Sequence, residues 1–179
     1  METYVLLVAT GEEHLALGYL DKRLEEEVGR SFMPKVEIAF RRNGITRMEQ
    51  RALFPGYIMV ESALDDIAFR EAFRHHLRQS SKLFSMLHHG QKSHMRLPPN
   101  ERDFLNRICN PEKIVEESIG MMEGDRVHII SGPLVGMDSQ IVAVHRHARK
   151  ATIAVEFMGG VKHIKVGLEI ILPKNSNEV

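Results

Sequence analysis

The sequence predicts an α+β fold in which a ferredoxin-like sandwich is followed by a small SH3-like β-barrel. Residues 1–110 alternate strand-like and helix-like segments in the order β-α-β-β-α-β and add one more helix, which is typical of the sandwich. Beyond residue 120 only short strand-like segments remain, as in a small barrel. With 179 residues and 43% hydrophobic content, the chain can fill one large or two small cores. We therefore expect domains at 1–110 and 120–174, a linker at 111–119 and a tail at 175–179.

The first half opens with a short strand and an amphipathic helix. Tyr4 to Val8 is a β-branched and aromatic run that ends before Gly11. From about Glu12 to Val28 the pattern becomes helical, with Gly29 as the expected C-cap. The apolar stripe of this helix is expected to contain Leu15, Ala16, Tyr19, Leu20 and Leu24.

Two strands and two further helices complete the predicted sandwich. The strands are expected at 33–40 and 53–62, and the polar stretch between them carries an Asn43-Gly44 turn signal. A helix is expected at about 66–78, with Phe69 and Phe73 on its buried face. The pair Pro98-Pro99 opens a third helix, which Asn110-Pro111 ends.

The second half shows a different pattern. Glu112 to Ser118 is charged and loop-like, so it serves as the linker. The strands that follow are separated by glycine-containing turns, and they are expected at 126–130, 139–146, 151–157 and 161–166.

Composition excludes several classes of protein. Cys109 is the single cysteine, so the chain holds no internal disulfide framework and no zinc cage of cysteines. No apolar run approaches the roughly 20 residues that a membrane helix needs. No signal peptide is evident after Met1, so we expect a cytoplasmic protein with no membrane partner.

Charge is segregated although the formal net charge is zero. Residues 1–29 carry a net charge of −5 and residues 69–96 one of +5, and five of the ten histidines lie in the second window. Three arginines recur at i, i+4 and i+8, namely Arg70, Arg74 and Arg78. They would line one side of a helix, where they could contact the phosphate groups of a nucleic acid. The alternative is an ordinary solvated helix face. His75 and Lys82 would extend the basic patch.

Two motifs stand out. In the first, Leu53 to Val60, a Pro55-Gly56 pair inside a strand-like run implies an edge, a bulge or a strand start, and it could place Phe54 and Tyr57 at one rim of the sheet. The second is Glu123 to Gly136, a polar turn that feeds a strand and then a glycine-containing turn of the kind a tiny barrel requires.

With both motifs in this order, the chain resembles the NusG family of transcription elongation factors over essentially its whole length. Residues 1–110 look like the NGN domain of that family and residues 120–173 look like its KOW domain. The resemblance implies no catalysis and no cofactor. It implies that the NGN domain docks an apolar pocket onto the clamp helices of RNA polymerase and suppresses pausing. The KOW barrel would recruit a second partner, such as NusE, Rho or RNA.

The resemblance also implies where the partners bind. The polymerase site would comprise Phe54, Pro55, Gly56 and Tyr57, with Tyr4 beside them, and the alternative is that these aromatic rings are core residues. On this reading, Phe54→Ala abolishes polymerase binding without unfolding the domain. The basic patch would read a hairpin in nascent RNA or the non-template DNA.

In the KOW half, Phe157 and Met158 align with the apolar pair that contacts NusE and Rho in that family, and Leu134 lies on a nearby loop. The alternative is that Phe157 belongs to the barrel core. Strand alternation would place Met158 opposite Phe157, so Met158 is the better candidate for an exposed contact.

Several alternatives remain open at this stage. The segment Val8 to Glu13 looks like specialised LoaP-type relatives, which favours an operon-specific antiterminator over a housekeeping elongation factor. A ribosome-associated KOW protein that binds RNA and an enzyme that uses the histidines are the remaining classes. We expect a monomer that is not an enzyme. We also expect no bound metal, because neighbouring histidines such as His75 and His76 normally point in different directions.

Overall fold

The computed structural model of the chain describes residues 1–79, 85–86 and 96–171. The helices among these residues are α1 (Glu13–Arg23), α2 (Asp66–Gln79) and α3 (Pro99–Ile108). The strands are β1 (Glu2–Leu7), β2 (Arg30–Phe32), β3 (Lys35–Arg42), β4 (Ile45–Ala52), β5 (Tyr57–Ser62), β6 (Ser85–Met86), β7 (Ile114–Val115), β8 (Ser118–Glu123), β9 (Arg126–Ser131), β10 (Ile141–His145), β11 (Lys150–Phe157) and β12 (Gly160–Ile171). These elements form two compact units, residues 1–34 with 52–106, and residues 35–51 with the described residues from 107 onward.

The first unit contains a sandwich of the predicted class, but its second strand is β2, whereas the predicted strand at 33–40 overlaps β3 of the second unit. Its sheet has the strand order β2-β5-β1-β6, and each neighbouring pair is antiparallel. This arrangement is the split βαβ topology of a ferredoxin-like fold. The core forms on one sheet face, where strand residues such as Tyr4 and Ile58 pack with Leu20 of α1 and with Phe69 and Phe73 of α2.

Helix α1 ends earlier than predicted. It stops at Arg23 because Leu24 is extended (φ −78°, ψ 121°), and the next residues, Glu25 to Glu27, are carboxylates that the negative end of a helix disfavours. Gly29 is therefore not the C-cap. It has φ +150°, and a Cβ there would lie 2.4 Å from the backbone oxygen of Glu61, so glycine permits the close approach to β5. Leu15, predicted for the buried stripe, is 65% exposed.

The other two helices agree with their sequence signals. Asp65 caps α2, since its Oδ1 accepts hydrogen bonds from the backbone N–H groups of Ile67 (3.0 Å) and Ala68 (2.9 Å). Pro99 is the first residue of α3, which ends at Ile108, just before the predicted Asn110-Pro111 stop.

The second unit begins with a hairpin that the sequence shows only in part. β3 and β4 are neighbours, and Asn43 (φ 52°) and Gly44 (φ 78°) form the turn between them, as the Asn-Gly signal predicts. β4 itself was not predicted, because most of its residues are exposed and no alternation marks a buried face. β7, in the stretch predicted as a linker, pairs in parallel with β3.

The rest of the second unit is a curled sheet of five strands in the order β10-β11-β12-β8-β9, which confirms the small-barrel class. Gly132 allows its tight corner: it has φ +96°, and a Cβ there would lie 2.7 Å from Cα of Ser118. The hydroxyl of Ser118 in turn accepts a hydrogen bond from the backbone N–H of Leu134 (3.1 Å).

None of the helices in the described part of the chain has the length and apolar character needed to cross a lipid bilayer.

Candidate functional site

The Phe54-Pro55-Gly56-Tyr57 motif forms a tight turn at the start of β5. The backbone N–H of Tyr57 donates to the oxygen of Phe54 (3.2 Å), and the oxygen of Gly56 accepts from the N–H of Val8 (2.9 Å). Gly56 has φ +84°, a conformation that favours glycine. Of the three readings of the Pro-Gly pair, the structure therefore selects the strand start.

A buried carboxylate holds this turn in place. Glu13, in the first turn of α1, accepts hydrogen bonds from the N–H groups of Gly56 (2.7 Å) and Gly11 (2.9 Å). Burial alone would raise the pKa of the Glu13 carboxyl, but these N–H donors outweigh burial and hold its pKa below the usual value. Sequence reasoning missed Glu13, because an acid in a first helical turn is common and does not indicate a contact 43 residues away.

Two of the three predicted pocket rings lie in the interior. Tyr4 is 1% exposed and stacks on Phe69, with ring centroids 3.8 Å apart, and its hydroxyl donates to the oxygen of Leu64 (2.8 Å). Phe54 is 5% exposed. Both rings therefore lie where the alternative reading placed them, among the core residues: Tyr4 is on the sheet face that α2 covers, and Phe54 is buried at the turn.

Tyr57 lies where a partner can reach it. It is half-buried and pairs across the ladder with Leu7, which is also half-buried. The next residues on that face, Val5 and Met59, form a cross-strand pair and are fully buried, while Pro55 beside Tyr57 is exposed. The partly exposed pair Leu7 and Tyr57, with the exposed Pro55 two residues before Tyr57, is called the turn patch below.

The predicted basic stripe lies on α2. Arg74 forms an ion pair with Glu71, and Arg78 is exposed. Arg70 is partly buried. His75 is exposed, and Lys82 lies outside the described residues.

The predicted partner contacts of the barrel are interior. Leu134 and Phe157 are fully buried, and Met158 is 7% exposed. The alternation argument for Met158 is wrong because β11 ends at Phe157, and Met158 (φ 51°) already belongs to the turn that leads into β12. Their exposed apolar neighbours are Val135 and Val161.

The barrel also carries a groove that sequence reasoning missed. Its volume is about 780 Å³, and residues of the two outer strands line it, among them Val127 of β9 and Ile141 and Val142 of β10. An outer strand offers unpaired backbone groups, so such a groove can accept an extended segment of a partner.

Comparison with known proteins relates the chain to a single group. A family model described as "Transcription termination factor nusG" matches residues 1–106. The transcription termination/antitermination protein NusG of Pseudomonas aeruginosa is 23% identical over 164 residues, which cover 87% of this chain and 89% of that protein. The protein of the same name from Thermus thermophilus is 21% identical over 167 residues, covering 89% and 91%. The one from Staphylococcus carnosus is 23% identical over 176 residues, covering 94% and 93%.

A solved structure shares the fold. The structure described as "Domain interaction in Thermotoga maritima NusG" superposes with a TM-score of 0.51 and 20% identity, covering 94% of this chain and 93% of that one.

Proposed function

Because the chain belongs to the NusG family, we propose that it binds RNA polymerase through the turn patch and acts during elongation to suppress pausing or termination. At the level of the family, the chain is a NusG-like transcription termination/antitermination factor. Members of that family interact with RNA polymerase and are not enzymes. Such a factor would act in the cytoplasm with the polymerase.

The observation that carries the proposal is the partly exposed Tyr57 ring beside the exposed Pro55, at the start of β5. An amphipathic helical hairpin such as the polymerase clamp helices needs an apolar contact that keeps its shape in the free protein. Tyr57 offers a large ring at such a position. The hydrogen bonds from Gly56 to Glu13 and from Val8 to Gly56 fix the turn before binding. In this arrangement Tyr4 and Phe54 are core residues of the unit and are not contacts of the partner.

We expect Tyr57→Ala to weaken binding to a clamp-helix fragment of RNA polymerase by at least about tenfold, since buried tyrosines dominate many interfaces. Calorimetric titration of the full chain measures the affinity. Leu15→Ala is the matched control, because Leu15 is an exposed apolar residue of the same unit outside the turn patch. Equal affinity of the Tyr57 variant and the wild type would contradict the proposed site.

The activity itself is tested by transcription in vitro with purified polymerase through a terminator and candidate leader sequences. More read-through with the wild-type chain than with Tyr57→Ala supports antitermination. We propose an operon-specific factor on the likeness of Val8 to Glu13 to LoaP-type relatives. The alternative, a housekeeping elongation factor, predicts uniform occupancy over genes, whereas an operon-specific factor is confined to a few long operons.

We further propose that the α2 arginines, with His75 and Lys82, contact a hairpin in nascent RNA or the non-template DNA. Binding to nucleic acid weakens as salt rises, so a plot of the logarithm of the association constant against the logarithm of the salt concentration has a negative slope. Replacing Arg70, Arg74 and Arg78 together by alanine should reduce the magnitude of this slope by about 2 to 3. Gel shifts with an RNA hairpin and, separately, a single-stranded DNA measure the slope. The control of equal charge is Lys22→Ala/Arg23→Ala/Arg30→Ala, which removes three exposed basic residues of the same unit outside α2. An unchanged slope in the α2 variant argues against the α2 surface.

For the barrel, we propose that a second protein, NusE or Rho, contacts exposed residues next to Leu134, Phe157 and Met158 rather than these three buried residues. Val135 follows Leu134 in sequence, and Val161 pairs with Glu156 across β11 and β12. Both are exposed apolar side chains, which suit a small contact of this kind.

A further inference from the structure

Among the described residues, one group of histidine and carboxylate side chains is close enough to share a metal ion. It consists of Glu25, in the turn after α1, and His75 and His76 of α2. One ligand atom from each residue lies within 4.8 Å of the others. Oε2 of Glu25 is 3.4 Å from Nε2 of His76, and Oε1 is 4.0 Å from Nε2 of His75.

The two neighbouring histidines do not diverge, contrary to the expectation from the sequence. Their ring centroids are 3.7 Å apart. The ring of His75 is fixed because Nδ1 lies 3.1 Å from the backbone oxygen of Ala72, which can only accept a hydrogen bond. Nδ1 therefore donates this hydrogen bond, and Nε2 is the ring nitrogen on the side of Glu25. In most metal-binding histidines, the ring nitrogen that does not bind the metal makes a hydrogen bond of this kind, which orients the ring.

His76 is held by packing instead. It is 1% exposed and lies between Tyr19 and Phe73, with ring centroids 6.1 Å and 5.3 Å away. Burial lowers the pKa of His76, although Glu25 opposes the shift. Its Nδ1 has no hydrogen-bond partner in the described part of the chain, so Nε2 beside Glu25 is its one polar contact there.

The gap between Nε2 of His75 and the carboxylate of Glu25 is the central observation. The two atoms are 4.0 Å apart, which is too far for a direct hydrogen bond between them. A cation between the two would satisfy both. Zn²⁺ binds nitrogen and carboxylate oxygen at about 2.0–2.2 Å, which places tetrahedral ligand atoms about 3.3 Å apart. The Glu25 side chain is 53% exposed, so it can move toward the two rings to close the remaining distance.

We propose that Glu25, His75 and His76 form a binding site for Zn²⁺ that clamps the turn after α1 onto α2. Imidazole ligands favour Zn²⁺ over Mg²⁺ and Ca²⁺, which prefer oxygen. Because Glu25 and His75 are about half exposed, the ion can enter from solvent, and water completes its coordination. The site lies in the unit that carries the turn patch and does not depend on polymerase binding.

The test is titration of the untagged full chain, freed of metal by a chelator, with ZnCl₂ alone. Calorimetry should show one saturable equivalent, and Zn²⁺ should raise the Tm because the ion binds the folded state. Glu25→Gln and His75→Ala should each abolish this saturable binding and the Tm shift. Both positions are half exposed, so circular dichroism should show that the variants fold.

A variant with alanine at His88, His89 and His94 is the control for histidines outside the described residues, and it should bind like the wild type. The proposal is overturned if the wild type shows no saturable equivalent of Zn²⁺, or if Glu25→Gln and His75→Ala bind it as tightly as the wild type. Loss of binding in the control variant alone would assign the ion to other histidines and would equally overturn the proposal.

Discussion

Replacing Phe54 by alanine is expected to lower the free energy of unfolding by about 3–5 kcal/mol, the range for removal of a buried phenylalanine ring. The ring is 5% exposed, so its loss removes buried apolar area and leaves a cavity beside the Gly56 turn. The variant should therefore lose polymerase binding because the unit is destabilised, and not because a contact residue is missing. This outcome differs from the one that the family resemblance suggests for Phe54.

Urea denaturation of the full chain, followed by circular dichroism, measures the effect. Tyr57→Ala is the matched control, because it removes a partly exposed ring three residues along the same turn and should be less destabilising. Comparing the two variants distinguishes a residue that stabilises the fold from a residue that contacts the polymerase. If the Phe54→Ala protein is as stable as the wild type but no longer binds the clamp-helix fragment, then Phe54 is a contact residue of the interface.

The second large effect is expected at Phe157. This ring is fully buried at the end of β11, opposite Gly160 of β12, and Phe157→Ala should also cost about 3–5 kcal/mol. Hydrogen exchange of the β11 and β12 amides, measured by mass spectrometry, should show faster exchange in the barrel strands. Faster exchange there follows because local opening exposes these amides first.

Val161→Ala is the control for this variant. Val161 is exposed on the adjacent strand, so its truncation should change stability by no more than about 0.5 kcal/mol. If it lowers binding to NusE or Rho, the partner contacts the exposed neighbours of Phe157. Wild-type exchange rates in Phe157→Ala would contradict the core position of this ring.

Local sequence signals predicted several elements well. Phe69 and Phe73 recur at helical spacing and both are buried in α2. The Asn43-Gly44 pair forms the hairpin turn, because its backbone requires positive φ at both residues. Each of these signals acts within a few residues of the chain, so the sequence around it is sufficient.

Other features depend on competing local effects. The end of α1 was missed, since the stripe continues to Leu24 while the carboxylates that follow disfavour the helix end. β4 was missed because a ribbon with most side chains exposed has no buried face to mark it. Met158 was misassigned because alternation stops where the strand stops.

The fold class and, through two motifs, the resemblance to the NusG family follow from local patterns in the sequence. That Tyr4 and Phe54 are buried while Tyr57 is partly exposed depends on how the elements pack, since alternation does not say which face another element covers. Packing also joined Glu13 to Gly56 and Glu25 to His76, pairs separated by 43 and 51 residues. Such contacts arise when distant segments pack, and no pattern in a short stretch of chain records them.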